Sequence, residues 1–221
     1  MQTPMDWGKV TTVILDMDGT LLDLSFDNYF WHEHVPLRFS QIHRVDLEDA
    51  KQQLLTRYQS KAGTLDWYCT DFWAHELELD IPALKQEISA RIRIFPNTKQ
   101  FLAKLSRLNK RIVLATNAHR DSIAIKMNTV QLESYFDNIV SSHDFGYSKE
   151  ELAFWDKLAE VEPYDPATSL FIDDNLEVLA TAEAVGIQHL ITIKQPDSSK
   201  PEQDTLHYQA ISDFSQIMPI S

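Results

Sequence analysis

Short runs rich in β-branched residues alternate with helical patterns along much of this 221-residue chain, and this alternation limits the possible fold more than any other feature. Short apolar runs of this kind predict buried strands. Between the later runs apolar residues recur at helical spacing, as at Phe101, Leu102 and Leu105. Strands that alternate with helices are joined by crossovers, so the sequence predicts an α/β fold with a parallel sheet. The predicted strands are residues 10–15, 111–116, 138–142, 169–173 and 188–193.

One interval breaks the alternation, because about ninety residues separate the first predicted strand from the second. A crossover needs only about a dozen residues. Residues 25–93 contain no convincing strand and carry helical patterns, so we expect an inserted helical cap over the carboxyl edge of the sheet. The core of the fold then comprises residues 1–24 and 94–221. Within it, residues 195–204 form a polar loop, and the last residues form one more short element on the core.

Composition limits the possible partners. The formal net charge is −13, which disfavours a nucleic-acid polymer but leaves room for a small phosphorylated ligand at a local positive site. Cys69 is the single cysteine, which fits a reduced thiol in the cytoplasm. The chain starts without a signal-like segment, and no apolar run reaches the roughly 18 residues of a membrane span, so we expect a cytoplasmic protein. The oligomeric state stays open.

Polar side chains follow four of the predicted strands at their carboxyl ends, which is where ligands bind to open parallel sheets. Crowded carboxylates at such an edge need a cation, and Mg²⁺ prefers oxygen ligands from one or two carboxylates plus substrate and water. The sequence therefore predicts a Mg²⁺ site at the carboxyl edge of the sheet. The residues concerned are Asp16 and Asp18 after the first strand, Thr116 and Asn117 after the second, Lys149 after the third, and Asp173 and Asp174 after the fourth.

These motifs resemble those of the haloacid dehalogenase (HAD) superfamily. The segment Asp16-x-Asp18-Gly19-Thr20 and the later Thr, Lys and Asp-Asp motifs occur in the same chain order. The resemblance implies a Rossmann-like three-layer core and a phosphatase mechanism. In that mechanism Asp16 is the nucleophile that forms an aspartyl-phosphate, and Asp18 is the general acid and base. Dehalogenases generally lack the second Asp, so its presence favours phosphoryl transfer.

The resemblance also implies the remaining roles. Mg²⁺ is held by the Asp16 carboxylate, the Asp18 backbone carbonyl and Asp174, with Asp173 beside them. Thr116 and Lys149 bind the phosphoryl oxygens. A carboxylate that attacks a phosphate dianion is repelled by its negative charge. Mg²⁺ and Lys149 would both reduce this repulsion. Asn117 adds contacts to the substrate nearby. The superfamily often has Lys-Pro in its third motif, whereas this chain has Lys149 followed by Glu150.

The cap is similar to that of a narrower branch, the bacterial GMP/IMP nucleotidases. The stretches DGTLLDLSFDNYFW, LDWYCTDFWAHELELDI and FGYSKE carry this likeness, which implies hydrolysis of purine 5′-monophosphates. An aromatic wall could stack on a base. Asn28, Tyr29 and Trp31 are the predicted substrate contacts in the cap, with Trp67 and Asp71 as second candidates.

Other functions compete with this interpretation. Phosphatases of sugar phosphates or phosphoglycolate share the scaffold, and a phosphomutase would also keep both Asp16 and Asp18. A signalling receiver domain also uses Mg²⁺ and an aspartyl-phosphate. Its acceptor, however, ends the third strand, and it lacks both a cap and an equivalent of Asp18. An inactive relative that only binds nucleotides would be expected to lack a motif residue, and none is missing here.

Four further residues have less specific expectations. Asp23 is interpreted as a structural acid that closes the turn after the first motif. His32 and His34 flank Glu33, but their helical surroundings disfavour a zinc site, because HxH spacing points both rings to one side only in extended chain. His119 follows Thr116-Asn117 and is expected to start the next helix rather than to border the pocket.

Overall fold

A computed structural model describes residues 5–219 of the protein, so residues 1–4 and 220–221 of the predicted core lie outside the described residues. Over this range the chain forms one parallel sheet, as predicted, with every neighbouring pair of strands parallel. The strands are β1 (Thr12–Leu15), β2 (Arg111–Thr116), β3 (Asn138–Ser141), β4 (Ser169–Ile172), β5 (His189–Ile193) and β6 (Gln209–Ile211). β1 to β5 fall on the predicted runs, whereas β6 lies in the stretch predicted only as a short element.

The strand order is β3-β2-β1-β4-β5-β6, so the direction of winding reverses at β1. In doubly wound sheets the crevice for a ligand opens at this reversal, beyond the carboxyl ends of the strands. Leu15 at the end of β1 pairs with Leu114 on one side and with Ile172 on the other. Asp16 and Asp173 are therefore the next residues of two neighbouring strands, which brings their carboxylates to the same edge.

Four long helices cover the two faces of the sheet and give the predicted three layers. Alternate residues of β1 face opposite sides, with Val13 and Leu15 in one buried cluster and Ile14 in the other. The first cluster includes α7 (Thr98–Arg107) and α8 (Arg120–Val130), and the second includes α9 (Leu152–Val161) and α10 (Leu176–Ala184). The α10 helix ends before Gly186, whose φ of +93° supplies the predicted stop.

Between β1 and α7 the described chain is helical, apart from turns and two isolated β-bridges. We call residues 25–91 the helical segment. It has a hydrophobic cluster of its own, built around Phe30, Leu54 and Trp73. Its helices are α1 (Ser25–Tyr29), a π-helical turn (Phe30–His34), α2 (Val35–His43), α3 (Leu47–Lys61), α4 (Leu65–Tyr68), α5 (Thr70–Leu77), α6 (Ile81–Glu87) and a 3₁₀ turn (Ser89–Arg91).

The chain enters and leaves the helical segment at one place. Asp23 N donates to Arg93 O over 2.9 Å, and Phe95 N donates to Leu21 O over 2.9 Å. The Asp23 carboxylate accepts from the backbone N–H groups of Ser25 and Ser198 at 2.9 and 3.1 Å. Asp23 therefore joins the start of α1 to the polar loop of residues 195–204, which fits its expected structural role. The domain boundaries at 25 and 93 stay a prediction.

The helical segment offers a matched test of its packing, because two adjacent leucines of α3 have opposite environments. Leu54 is fully buried and Leu55 is 48% exposed. We expect Leu54→Ala to lower the free energy of unfolding by about 2–5 kcal/mol, since it removes buried methyl groups and leaves a cavity. Leu55→Ala should change it by less than about 0.5 kcal/mol. Urea unfolding of both variants measures this, and equal effects would contradict the assignment of this cluster as a packed core.

Candidate active site

Residues from the ends of different strands meet in a cavity of about 450 Å³ between the sheet edge and the helical segment. Its floor contains every residue that the sequence predicted at that edge. The opposite side of the cavity, which we call the aromatic roof, comes from α1, the π-helical turn and α4, and its rings come from the last two. The floor residues are Asp16, Asp18, Thr116, Asn117, Lys149, Asp173 and Asp174, and the roof residues include Asn28, Trp31, Trp67 and Tyr68.

The Lys149 ammonium lies between two buried carboxylates. Its Nζ is 2.5 Å from Asp16 Oδ1 and 2.6 Å from Asp173 Oδ2, and all three side chains are at most 7% exposed. Burial alone would lower the pKa of Lys149, but the two carboxylates raise it above its usual value, so the amine stays charged. Burial raises the pKa of Asp16 to about 6 against the opposing effect of Lys149. The ammonium thus fixes one oxygen of Asp16 and leaves the other unconstrained by this contact.

Asp173 and Asp174 are adjacent in the chain but have different surroundings. Both oxygens of Asp173 are engaged, one by Lys149 and the other by the Asn175 N–H at 2.8 Å. Asp174 forms no ion pair within the described residues, and burial raises its pKa well above the usual value, with Asp173 and Asp16 adding to the effect. This difference supports the expectation that Asp174 is a metal ligand and that Asp173 acts beside it.

The carboxylates of this floor fit a divalent cation. One oxygen each from Asp16, Asp173 and Asp174 lies within 4.8 Å of the others. The residues that line the cavity include five Asp and three Lys, with no Glu or Arg. When all of these side chains are ionised, the lining carries a net charge of −2, which one divalent cation would balance. All-oxygen donors of this kind suit Mg²⁺.

Gly19 leaves room for the Asp174 carboxylate. Its φ is +84°, which an L-residue rarely adopts, and a Cβ atom there would lie 2.5 Å from the Asp174 carboxyl carbon. The glycine of the first motif therefore serves both the turn after Asp18 and the close approach of Asp174, which follows β4.

A second ion cluster holds the predicted general acid, and the sequence reading missed it. Lys126 Nζ, on α8, lies 2.6 Å from Asp18 Oδ1 and 2.6 Å from Asp27 Oδ2. Asp27 on α1 also pairs with Lys85 of α6 at 3.0 Å. The side chains of both lysines are 2–3% exposed. The one sequence signal was Lys126 at an apolar position of its helix, beside Met127 and three residues after Ile123.

The pKa values in this second cluster follow from burial and from the lysines. Burial would raise the pKa of Asp27, but Lys126 and Lys85 lower it to about 2. Burial raises the pKa of Asp18 to about 6, Asp27 adds to this, and Lys126 opposes it. Asp27 is therefore a permanent charge, whereas Asp18 titrates nearer to neutrality, as a group that both gives and takes a proton should.

Asn117 and Glu150 hold the segment that carries Lys149. The Asn117 side chain accepts from Lys149 N at 2.9 Å and donates to Glu150 Oε2 at 2.8 Å. Glu150 Oε1 accepts from Tyr68 and Asn175, each at 3.1 Å. The amide expected to contact substrate is thus engaged with protein, although it lines the cavity. Glu150, where the superfamily often has Pro, ties the helical segment to the sheet edge, which sequence reading did not anticipate.

Thr116 ends β2 and lines the cavity as expected. Its Oγ1 accepts from Ala118 N at 3.1 Å, so the hydroxyl proton remains free to be donated. The structure also gives His119 the expected place at the start of α8, where its ring accepts from Asp121 N. His119 does not line the cavity.

The predicted contacts of the helical segment divide into two groups. Asn28, Trp31 and Trp67 line the cavity. Asn28 Nδ2 also donates to Asp197 at 2.6 Å. Tyr29 does not line the cavity, so its predicted substrate contact stays a prediction that the cavity does not support. Its ring packs 3.9 Å from the Arg91 guanidinium carbon, because the turn of α1 directs it away from Asn28.

Asp71 also lies outside the cavity lining, and its carboxylate is 3.6 Å from His119 Nε2. His32 is exposed at the cavity rim, whereas His34 is buried and pairs with Glu87 at 3.0 Å. Those two histidines therefore lie on different sides of the π-helical turn.

Among residues 5–219 no helix is both long and apolar enough to cross a membrane.

Solved structures share this fold. The HAD phosphatase of Thermococcus onnurineus matches with a TM-score of 0.76 and 19% identity, over 91% of this chain and 93% of that one. CbbY of Rhodobacter sphaeroides, solved in complex with phosphate, matches with a TM-score of 0.68 and 13% identity, over 93% and 95% of the two chains. At such identities the likeness concerns the fold alone.

Sequence comparison reaches further. The description haloacid dehalogenase-like hydrolase applies to the family that matches residues 10–186, a range that includes all floor residues of the cavity. The chain is also 36% identical over 219 residues to GMP/IMP nucleotidase YrfG of Escherichia coli (strain K12), with 99% of each chain covered. The protein of the same name from Shigella flexneri matches equally. Because these matches span most of the chain, the protein is an enzyme of the haloacid dehalogenase-like hydrolase family.

Proposed function

We propose that this enzyme is a Mg²⁺-dependent phosphomonoesterase that hydrolyses the purine 5′-monophosphates GMP and IMP through an aspartyl-phosphate. The observation that carries the proposal is the position of Asp16, which is held by Lys149 next to Asp174 on the floor of a cavity with an aromatic roof. The floor supports phosphoryl transfer. The nucleotide assignment is supported by the full-length relative named GMP/IMP nucleotidase.

In the first step an oxygen of Asp16 attacks phosphorus, and the bond to the 5′-oxygen breaks. Asp18 gives its proton to that oxygen, which leaves as the hydroxyl of the nucleoside. Lys149 orients Asp16 by donating to Asp16 Oδ1, which leaves Oδ2 to attack. Lys149 and Thr116 also stabilise the negative charge on the phosphoryl oxygens. Positioning of nucleophile and substrate in this way contributes much of the rate in phosphoryl transfer.

In the second step water attacks the phosphorus of the aspartyl-phosphate. Asp18, now ionised, takes a proton from the water, the bond between Asp16 and phosphorus breaks, and inorganic phosphate leaves. Bound Mg²⁺, held by Asp16, Asp174 and the Asp18 carbonyl, would supply electrostatic stabilisation of the phosphoryl charge. The two steps return Asp16 and Asp18 to their starting protonation states.

We propose that Lys126 is a positioning residue for Asp18. Its ammonium forms an ion pair with Asp18 Oδ1 at 2.6 Å and donates a hydrogen bond to Asp27 of the helical segment, also at 2.6 Å. Asp18 must face the leaving oxygen in both steps, and rotation about its side chain would remove it from reach. The ion cluster therefore makes the orientation of the general acid depend on the closed position of the helical segment.

The aromatic roof is the proposed determinant of substrate choice. Trp31 and Trp67 lie with ring centroids 6.4 Å apart and both line the cavity. Base stacking on such rings is worth about 1–3 kcal/mol per base. Phosphatase activity toward sugar phosphates or phosphoglycolate, and phosphomutase activity, are the alternatives that a substrate panel tests.

We place the enzyme in the cytoplasm, in keeping with its single, unpaired cysteine.

Phosphate release from a panel of esters tests the proposed substrate. The panel contains GMP, IMP, AMP, UMP, phosphoglycolate and sugar phosphates, each with and without Mg²⁺. We expect selective turnover of GMP and IMP that EDTA abolishes and Mg²⁺ restores. Asp16→Asn should remove turnover, and Asp18→Asn should lower kcat by about 10²–10⁴-fold. The exposed Asp49→Asn serves as the control with unchanged kcat.

Two other outcomes of the panel would contradict the assignment. Turnover of sugar phosphates or phosphoglycolate alone would keep the roles of Asp16 and Asp18 but reject the purine nucleotide. Conversion of a phosphorylated sugar into its isomer without release of phosphate would identify a mutase.

The role of Lys126 is tested by Lys126→Met. We expect kcat to fall by about 10²-fold, because the general acid loses its orientation, with a KM close to that of the wild type. Lys126→Arg keeps the charge and should recover part of kcat. The loss of kcat should persist at temperatures well below the melting temperature of Lys126→Met, where the variant is fully folded. A wild-type kcat of the folded variant would show that Lys126 acts only on folding.

A further inference from the structure

A cluster of three metal-binding side chains lies beside the cavity but outside its lining. One ligand atom each from Cys69, His119 and His143 lies within 4.8 Å of the others. Cys69 immediately precedes α5, His119 immediately precedes α8, and His143 lies on the 3₁₀ turn Ser142–Asp144 after β3. The three residues therefore come from three separate segments, one of them in the helical segment and two at the sheet edge.

The histidines of this cluster offer free nitrogens. His143 Nε2 is buried and has no hydrogen-bond partner among the described residues, which is costly for a polar atom unless a ligand satisfies it. Burial lowers the pKa of His143, and His119 lowers it further. The ring is therefore neutral near pH 7, which is the form that binds metals.

His119 has the outer contacts that are usual for a metal ligand. Its Nδ1 is 2.7 Å from Thr70 Oγ1, and that hydroxyl is 3.3 Å from an oxygen of Asp121, to which it donates. Nδ1 also lies 3.4 Å from Asp121 N, which is the longer of its two contacts. Metal binding at Nε2 requires the tautomer with the proton on Nδ1, in which Nδ1 donates to Thr70 and gives up the contact with Asp121 N. Metal-bound histidines usually donate their other N–H to a fixed acceptor in this way.

A fourth donor is close by. Asp71 follows Cys69 by two residues, and its carboxylate is 3.6 Å from His119 Nε2. It is the exposed member of the group, with a side chain 77% exposed, so it can move without breaking packed contacts. Its only described ion pair is the one with His119.

We propose that Cys69, His119 and His143, with Asp71 as fourth ligand, form a binding site for Zn²⁺. A thiolate with two imidazoles and one carboxylate is a donor set that zinc accepts and Mg²⁺ does not. Zn–S bonds of about 2.3 Å and Zn–N bonds of about 2.0–2.1 Å place the donors of a tetrahedral site about 3.5 Å apart. Cys69, His119 and His143 must therefore close by at most about 1.3 Å, and the exposed Asp71, whose oxygen groups with His119 but not with the other two ligands, must turn toward them.

The proposed ion would bind the helical segment to the sheet edge. Cys69 and Asp71 would supply ligands from one side, and His119 and His143 from the other. An ion that binds only the folded, closed arrangement stabilises it by mass action. The site lies between Thr70 and the segment leading to Lys149, so its occupancy would restrict opening of the cavity. This inference does not depend on the substrate proposed above.

The test uses Co²⁺ as a spectroscopic substitute for zinc, and its readout needs no catalysis. EDTA-stripped enzyme is titrated with Co²⁺, and thiolate-to-cobalt charge-transfer absorption is recorded. We expect one equivalent of Co²⁺ to give this band and one equivalent of Zn²⁺ to remove it. Zn²⁺ should also raise the melting temperature of the wild type.

Two variants remove a ligand but keep the local structure. Cys69 and His119 cap α5 and α8 through their side chains, and Ser and Asn are good residues at these cap positions. Cys69→Ser should abolish the band, whereas His119→Asn and His143→Gln should each weaken Co²⁺ binding at least tenfold. Asp16→Asn, which alters the carboxylate site, should leave the band unchanged.

Three results would overturn the proposal. The first is the absence of a charge-transfer band in the wild type. The second is a band of equal affinity in His143→Gln, which would indicate cobalt on the thiol alone. The third is a Zn²⁺-induced rise in melting temperature that persists in Cys69→Ser and vanishes in Asp16→Asn, because the ion would then occupy the floor carboxylates.

Discussion

The arrangement of the site depends on the buried ammonium of Lys149. The parallel sheet brings Asp16 and Asp173 to neighbouring strand ends, where burial and mutual repulsion both oppose their ionisation. A lysine 2.5 and 2.6 Å from the two carboxylates reduces this repulsion and fixes their orientation. Such a buried group is stable only when its partners are complete, since an unpaired buried charge is strongly destabilising. Lys149 pairs with Asp16 and Asp173 but not with Asp174, which is the acid left for the divalent ion proposed above.

A second ion cluster, of Asp18, Asp27, Lys85 and Lys126, connects the general acid to the helical segment. Asp27 and Lys85 belong to that segment, whereas Lys126 belongs to a helix of the core. Glu150 makes a parallel connection, because it accepts from Tyr68 on one side and Asn117 on the other. Both connections join polar side chains of the helical segment to polar side chains of the core. We infer that closing the cavity and aligning Asp18 are coupled.

Much of the fold and of the sheet-edge site could be predicted from sequence, because local patterns specify both. β1 to β5 are apolar runs, and the polar residues directly after them must fall on the carboxyl edge. Lys126, Glu150 and the cysteine–histidine cluster could not be predicted, because their partners are remote in sequence; Lys126 and Asp27 are 99 residues apart. Tyr29 lies outside the cavity lining for a local reason, since the helical turn of α1 directs its ring toward Arg91 and away from the side of Asn28.

The covalent role of Asp16 is the central claim, and a trapping measurement tests it most directly. In Asp18→Asn the base for the second step is absent, while p-nitrophenyl phosphate has a leaving group that needs no proton. Acid quenching followed by peptide mass spectrometry should then find a phosphoryl group on Asp16, together with a burst of one p-nitrophenol per enzyme. Steady turnover by the wild type, with neither a burst nor a phosphoryl group on Asp16 in the variant, would contradict the account.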